Sequence, residues 1–385
     1  MNVLCAIMKQ GQLVCLGDGY TANELKRLRN SHSFYCPVCH HEVKLKLGEK
    51  RIYHFAHKPD AACPVSHDRE SVYHLQGKQL LYQWLKKQRL RPVLEPYIKK
   101  IKQRPDLLVK CGMKIIAIEF QCATLKLTDY QKRTTGFVEL GIDPIWIIGG
   151  NRLKRLANSF FQLSEFHWQF VKRKEKHSKL LFFCPEQKAF LILEQLTPFL
   201  KNKSSASVTY LPLQQTRAAS FMTSAKKCSS LQLSGWKRNL HHFRTTSHRF
   251  LTKDTKQMME LFYQKLHISL PFFPSEVFIP VPSGSIFAHP VFVWQGYLYL
   301  YMIDYSPFRL DSAVRYMNKL IGTRRLKLRW NHREKVIDAV NEYAFYLCRK
   351  GFLSKKQDVY DLNRPYFKDS CLAALLKRDA YYFSE

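Results

Sequence analysis

The sequence predicts an α/β protein in which a helix–strand–hairpin–helix–strand core follows a small Cys- and His-rich module and precedes a basic, mostly helical region. Three observations lead there. A Cys-x-x-Cys turn and paired histidines crowd residues 1–65. Helical and strand periodicities alternate over residues 66–152. From residue 153 to residue 385 the chain becomes more basic and loses clear motifs.

The charge balance bounds the partners. Lys and Arg number 62 against 30 Asp and Glu, a formal net charge of +32. Hydrophobic residues make up 46% and aromatics 14%, enough to bury cores, which excludes a mostly disordered chain. The natural counterpart of such a cationic globule is nucleic acid. An anionic membrane surface is the competing partner, but the chain carries neither an amphipathic basic anchor nor a lipidation signal. No apolar run approaches the ~18 residues of a membrane span. The opening MNVLCAIMKQGQLVCLG lacks the basic and apolar regions of a secretory signal. The 11 cysteines, an odd number, are scattered in the manner of reduced thiols. A cytoplasmic protein without a membrane partner is expected.

In the first module, Cys36-Pro37-Val38-Cys39 is followed by His54-Phe55-Ala56-His57 and then Cys63. A Cys-x-x-Cys turn sets two thiolates on one zinc ion, and two further N or S ligands close the tetrahedron. Cys36, Cys39, His57 and Cys63 are the predicted ligands, with His54 as the substitute. Such a closed site is structural, since it leaves no open position for water. The plainer alternative is a pair of ordinary thiols beside surface histidines. A thioredoxin-like redox role would need a flanking βαβ pattern that the sequence lacks.

The core opens on a predicted helix, Ser66–Gln88, with Tyr73, Leu80, Leu81, Trp84 and Leu85 forming its apolar stripe. Glu70, His74 and Lys78 recur at i, i+4 and i+8 on another face. They make either a solvated ladder or a contribution to a site. Residues 93–98 read as a short strand. Two β-rich runs then meet at Gly112-Met113, and Gly in the first loop position favours a type II′ hairpin. If Cys111 and Lys114 close that hairpin, Asp106 stands opposite Glu119, with Cβ atoms ~4.5–5.5 Å apart on one face. Like charges so placed call for a cation between them, and hard oxygen ligands suit Mg²⁺ or Mn²⁺. Gln121 projects from the same face. An exposed polar hairpin edge, with the carboxylates paired to Arg104 or nearby lysines, is the alternative. A helix over 127–140, carrying Gln131 and Arg133 towards the site or into solvent, and a buried strand over 143–148 complete the core.

Beyond it, residues 180–183 and 189–193 resemble a hairpin, and residues 254–266 and 333–349 look helical. Residues 201–207 read as an exposed loop and 271–290 as an irregular connector. Val291–Ile303 reads as a strand, because Tyr297, Tyr299 and Tyr301 alternate with apolar residues. These tyrosines, with Phe345 and Tyr346, are expected in the core. Basic clusters at 172–179, 237–249 and 324–333 are the expected phosphate contacts. Trp236, His241, His242 and Phe243, interleaved with the second, would suit stacking on single strands.

The order of elements, with Pro105-Asp106 on one hairpin arm and Glu119-Phe-Gln121 on the other, resembles the PD-(D/E)XK restriction-endonuclease-like core, α-β-β-β-α-β, with Gln121 in place of the usual lysine. Together with the Cys36–Cys63 cluster, which forms a zinc-ribbon-like module, and the helix ESVYHLQGKQLLYQWLKK, the match is similar to the competence protein CoiA family over Cys36 to Gly150. That resemblance implies a protein of natural transformation. It would process incoming single-stranded or branched DNA, or help it recombine, alongside the RecA recombinase. It also implies that Asp106 and Glu119 hold Mg²⁺, that Glu70 supplements them, and that Gln121 takes the position that orients the attacking water. Two functions follow: a metal-dependent DNA nuclease, or a non-catalytic DNA-binding accessory to recombination that retains a degenerate nuclease fold. A zinc-dependent protein-interaction module is a weaker third.

Overall fold

A computed structural model of the chain describes residues 2–48, 52–58, 63–64, 70–174, 177–218, 233–246, 251–329, 335–363 and 371–384. The chain divides into two compact units. The first holds Met1–Leu153, Leu181–Ile192 and Thr209–Lys226, and the second holds Lys154–Leu180, Leu193–Val208 and Lys227–Glu385.

The first unit begins with an antiparallel sheet of β1 (Asn2–Val3), β2 (Cys5–Met8), β3 (Leu13–Cys15), β4 (Phe34–Tyr35), β5 (Glu42–Lys46) and β6 (His54–His57), in the order β1-β6-β5-β4-β2-β3. One helix, α1 (Ala22–Ser31), is inserted. Thr21 and Glu24 start it by exchanging side-chain and backbone hydrogen bonds, which satisfies two otherwise orphaned N–H groups.

The core of the unit follows as α2 (Val72–Lys87), β7 (Val93–Leu94), β8 (Leu107–Cys111), β9 (Lys114–Gln121), α3 (Leu127–Glu139) and β10 (Ile142–Gly149). β7, β8 and β9 are antiparallel neighbours, and β10 lies parallel to β9. Leu107 pairs with Ile118 and Cys111 with Lys114, the register that sets Asp106 opposite Glu119. Gly112 has φ 61° and Met113 does not share the positive sign, as a type II′ turn requires.

Alternation sends the two faces of this sheet to different helices. Leu107, Val109, Ile116, Ile118 and Phe120 pack with Leu75, Leu81, Trp84 and Leu85 of α2. Ala117 and Leu108 pack with Phe137 of α3. Gly77 permits the first contact: a Cβ there would stand 1.9 Å from Cε1 of Phe120. This close approach places the first turns of α2 beside the open end of the β8–β9 hairpin.

Several expectations need correction. The predicted helix from Ser66 starts at Val72, with Ser71 accepting the N–H of His74; residues 65–69 lie outside the described residues. The strand expected over 93–98 is only two residues long, because Glu95 turns into a left-handed conformation, φ 53°. Residues 203–212 form a strand in which Ser204 and Ser205 are buried, not an exposed loop.

In the second unit Val291–Tyr305 is a helix, not a strand. It is buried over almost its whole length, so nearly every position is apolar and the tyrosine alternation carries no face information. Tyr297, Tyr299 and Tyr301 are in the core, but Phe345 is 58% exposed. Other helices span Leu233–Thr245, Lys253–Leu266, Leu310–Gly322, Val336–Arg349 and Leu372–Tyr382. The proline-rich connector of residues 271–290 is irregular, yet its short 3-10 turns lie inside this core. Trp236 and Phe243 are buried there too, so they offer no stacking surface. They fall inward because Trp236, Leu240 and Phe243 follow the helical period while Lys237, Arg238, His241 and His242 face outward. Lys172 is exposed, and Arg324, Arg325 and Lys327 are exposed beside a buried Arg329. The rest of these two basic clusters falls partly outside the described residues.

Candidate active site and metal cluster

Where α2 meets the open end of the hairpin, four carboxylates converge with four basic groups. Lys78 is fully buried. Its Nζ donates to Glu70 Oε2 at 2.6 Å and to Glu95 Oε1 at 2.5 Å, and stands 3.7 Å from Asp106 Oδ1. His74, one turn earlier, places Nε2 3.3 Å from Asp106 Oδ2, which also accepts the Phe120 N–H at 2.8 Å. Arg133, from α3, donates to Glu119 and to the Arg104 carbonyl. Arg104, buried as well, adds a positive charge facing Glu95.

Burial and pairing compete at each group. Burial alone would raise Asp106, yet His74, Lys78 and the Phe120 N–H hold its carboxyl well below the usual range. Burial pushes Glu119 up to about 7, against the pull of Arg133. Burial would lower Lys78 and His74, but Glu70, Glu95 and Asp106 raise the first, and Asp106 raises the second. Such opposed shifts are characteristic of functional sites and of buried ion-pair networks alike.

The structure brings Glu70, Asp106 and Glu119 into this cluster and leaves Gln121 out. The Gln121 side chain turns onto its own loop and donates to the Ala123 carbonyl at 2.8 Å. Of the two helix residues considered, Arg133 joins and Gln131 does not hydrogen-bond to the cluster among the described residues. Sequence reasoning saw Lys78 only as one rung of a helical face, and it missed Glu95. Glu95 carries no motif spacing, and its place follows from a left-handed turn that periodicity does not reveal.

Asp106 and Glu119 supply hard oxygen donors of the kind a divalent cation takes, and the Lys78 contact to Asp106 is the longest of its three. Among the described residues, three or more ligand atoms close enough to share one ion are found at Cys36, Cys39, His57 and Cys63 and not at these carboxylates. Lys78, Arg104 and Arg133 already offset most of the negative charge, so a cation here would share the carboxylates with protein donors.

The second constellation lies in the same unit. The ligand atoms of Cys36, Cys39, His57 and Cys63 all fall within 4.8 Å of one another. The edges of a zinc tetrahedron with ~2.3 Å bonds are about 3.8 Å, so three sulfurs and one nitrogen fit a metal ion. The Val38 N–H points at Cys36 Sγ, 3.4 Å away, and His57 Nε2 lies 3.4 Å from Cys39 Sγ. Burial, with Cys36 and Cys63 as neighbours, pushes the Cys39 thiol up to about 12, against a backbone hydrogen bond from His41. His54 is not part of this cluster: in register with Lys46, it projects to the opposite face, and its Nδ1 meets the Ile52 carbonyl at 2.9 Å.

Comparison with known proteins matches three stretches of the chain. Residues 70–226 match the nuclease-like domain of competence protein CoiA, residues 231–376 its C-terminal domain, and residues 17–66 its N-terminal domain. A protein that carries a nuclease-like domain between two companions is thereby defined. The chain belongs to the competence protein CoiA family: it is 43% identical over 369 residues to competence protein CoiA of Bacillus subtilis (strain 168), covering 94% of this chain and 97% of that relative. No solved structure matches. No helix among the described residues is long and apolar enough to cross a membrane.

Proposed function

We propose that this protein is a metal-dependent DNA nuclease of natural transformation, acting on incoming single-stranded or branched DNA through a PD-(D/E)XK-type core. The supporting observation is the carboxylate cluster. Lys78 bridges Glu70 and Asp106 at the mouth of the β8–β9 hairpin, and Asp106 is held low while Glu119, within its electrostatic reach, is pushed up to about 7. Burying this many charges costs stability that an apolar core would not, and catalysis gives a reason to retain them.

In this reading Asp106 and Glu119 hold Mg²⁺ or Mn²⁺, which supplies a Lewis acid for the phosphoryl oxygen. His74 fixes the orientation of Asp106. Glu70 and Glu95 anchor Lys78, whose positive charge beside Asp106 stands in for the lysine that Gln121 replaces, and it favours the extra negative charge of an attacked phosphate. Zinc in the Cys36–Cys39–His57–Cys63 site is structural.

The displacement of Gln121 and the engagement of Glu119 by Arg133 favour the second reading, a DNA-binding accessory with a silent site that supports RecA-dependent recombination in the cytoplasm. Cleavage of labelled single-stranded, duplex and branched DNA with Mg²⁺ or Mn²⁺ separates the two. The nuclease reading expects cleavage that Asp106→Ala and Glu119→Ala both abolish with DNA affinity intact. Tight binding with no cleavage by the native chain supports the accessory.

A further inference from the structure

The outward face of the N-terminal sheet carries a cleft of about 1020 Å³ that neither cluster uses. Strand alternation builds its floor. Lys46 pairs with His54 and Lys44 with Ala56, so both lysines share one face, while Val43, Leu45 and Phe55 point into the core. Arg29 and His32, at the end of α1, line the same cleft.

The cleft is net basic. Its one acid, Glu42, is engaged by Lys58 at 2.5 Å. Lys44, Lys46 and Arg29 are exposed, and none makes a side-chain hydrogen bond or ion pair among the described residues. The His54 Nδ1 contact to a carbonyl requires the proton on Nδ1, which leaves Nε2 to meet a ligand. Two positions apart on one strand, the lysines stand ~6.6 Å from each other, on the scale of successive phosphates in an extended strand.

We propose that this cleft binds the backbone of a single-stranded nucleic acid. The proposal rests on the reading that the chain acts on DNA, and adds a binding track on a face the carboxylate cluster does not occupy. Lys44, Lys46 and Arg29 take phosphates, and His32 and His54, which line the cleft, offer rings for bases to stack on. An anionic membrane fits less well, because the cleft is concave and none of its lining residues is an exposed large apolar side chain to insert into lipid.

The test is fluorescence anisotropy of a labelled oligothymidylate with the full chain across a salt series, comparing wild type, Lys44→Ala/Lys46→Ala and Arg29→Ala. Removing two phosphate contacts lowers the slope of log affinity against log salt by about 1.4 and weakens binding about tenfold at moderate salt, with circular dichroism unchanged. Binding is read without added Mg²⁺ or Mn²⁺, so it is scored independently of cleavage and failure of the nuclease reading is seen separately. Unchanged affinity and slope in the lysine variant, or no binding by wild type, overturns the proposal. So does a lysine variant that loses binding to phosphatidylglycerol vesicles while keeping the oligonucleotide.

Discussion

Glu95 joins Lys78 to the amino-terminal strands: its Oε1 takes the Lys78 ammonium at 2.5 Å, while its Oε2 accepts the Leu4 N–H at 3.0 Å. One buried carboxylate thus ties the carboxylate cluster to the N-terminal sheet. Removing one partner of a buried pair leaves the other charged and unsolvated, which costs ~3–5 kcal/mol. Lys78→Met is expected to lower unfolding stability by that order in urea titration, and Glu95→Gln by less, since the amide can still accept from Leu4. A Lys78→Met variant as stable as wild type would show that the ammonium is not what holds the carboxylates.

The proton balance of the cluster sets a pH dependence. Glu119 is raised to about 7, so between about pH 4.3 and 7 the folded chain binds a proton that the unfolded chain releases, and stability falls as pH rises through that window. His74, also raised, contributes stability that is fully present below ~6.5 and lost as pH rises through its folded value. Asp106 is depressed, so its contribution holds above ~3.9 and is lost in acid. Maximum stability near pH 5 is expected, and Glu119→Gln should flatten the decline towards pH 8 by ~1–3 kcal/mol. Melting temperatures measured from pH 4 to pH 8 check this, and an identical decline in both proteins contradicts it.

Gly77 is where α2 is held against β9. With a Cβ 1.9 Å from the Phe120 ring, Gly77→Ala must move Phe120 or the helix, an overpacking cost of ~1–3 kcal/mol. The displaced helix carries His74 and Lys78 with it, so the variant should lose stability in denaturant and activity together.

For the sulfur cluster, one zinc per purified chain is expected by elemental analysis. Cys39→Ser or His57→Ala should remove most of it, whereas His54→Ala should leave it in place because that ring faces away from the thiols. Metal lost from the His54 variant alone would reassign the fourth ligand.

What the sequence made legible follows from the range of the forces involved. The β8–β9 register was readable because a two-residue loop with Gly112 fixes pairing locally, and Asp106 and Glu119 then followed by counting. The Cys36–Cys39 turn was readable for the same reason. Lys78 at the centre of the carboxylates, the role of Glu95 and the outward turn of Gln121 depend on which elements pack together, and no local pattern states that. Val291–Tyr305 was misread because a helix buried on all sides has no polar face to reveal its period.

The most direct measurement is Mn²⁺ binding to the full, zinc-loaded chain by electron paramagnetic resonance. The account predicts one Mn²⁺ per chain, weakened at least tenfold by Asp106→Ala and by Glu119→Ala and unaffected by Gln121→Ala. Absence of binding to the native chain, or binding that both carboxylate variants retain, would contradict a catalytic metal between Asp106 and Glu119.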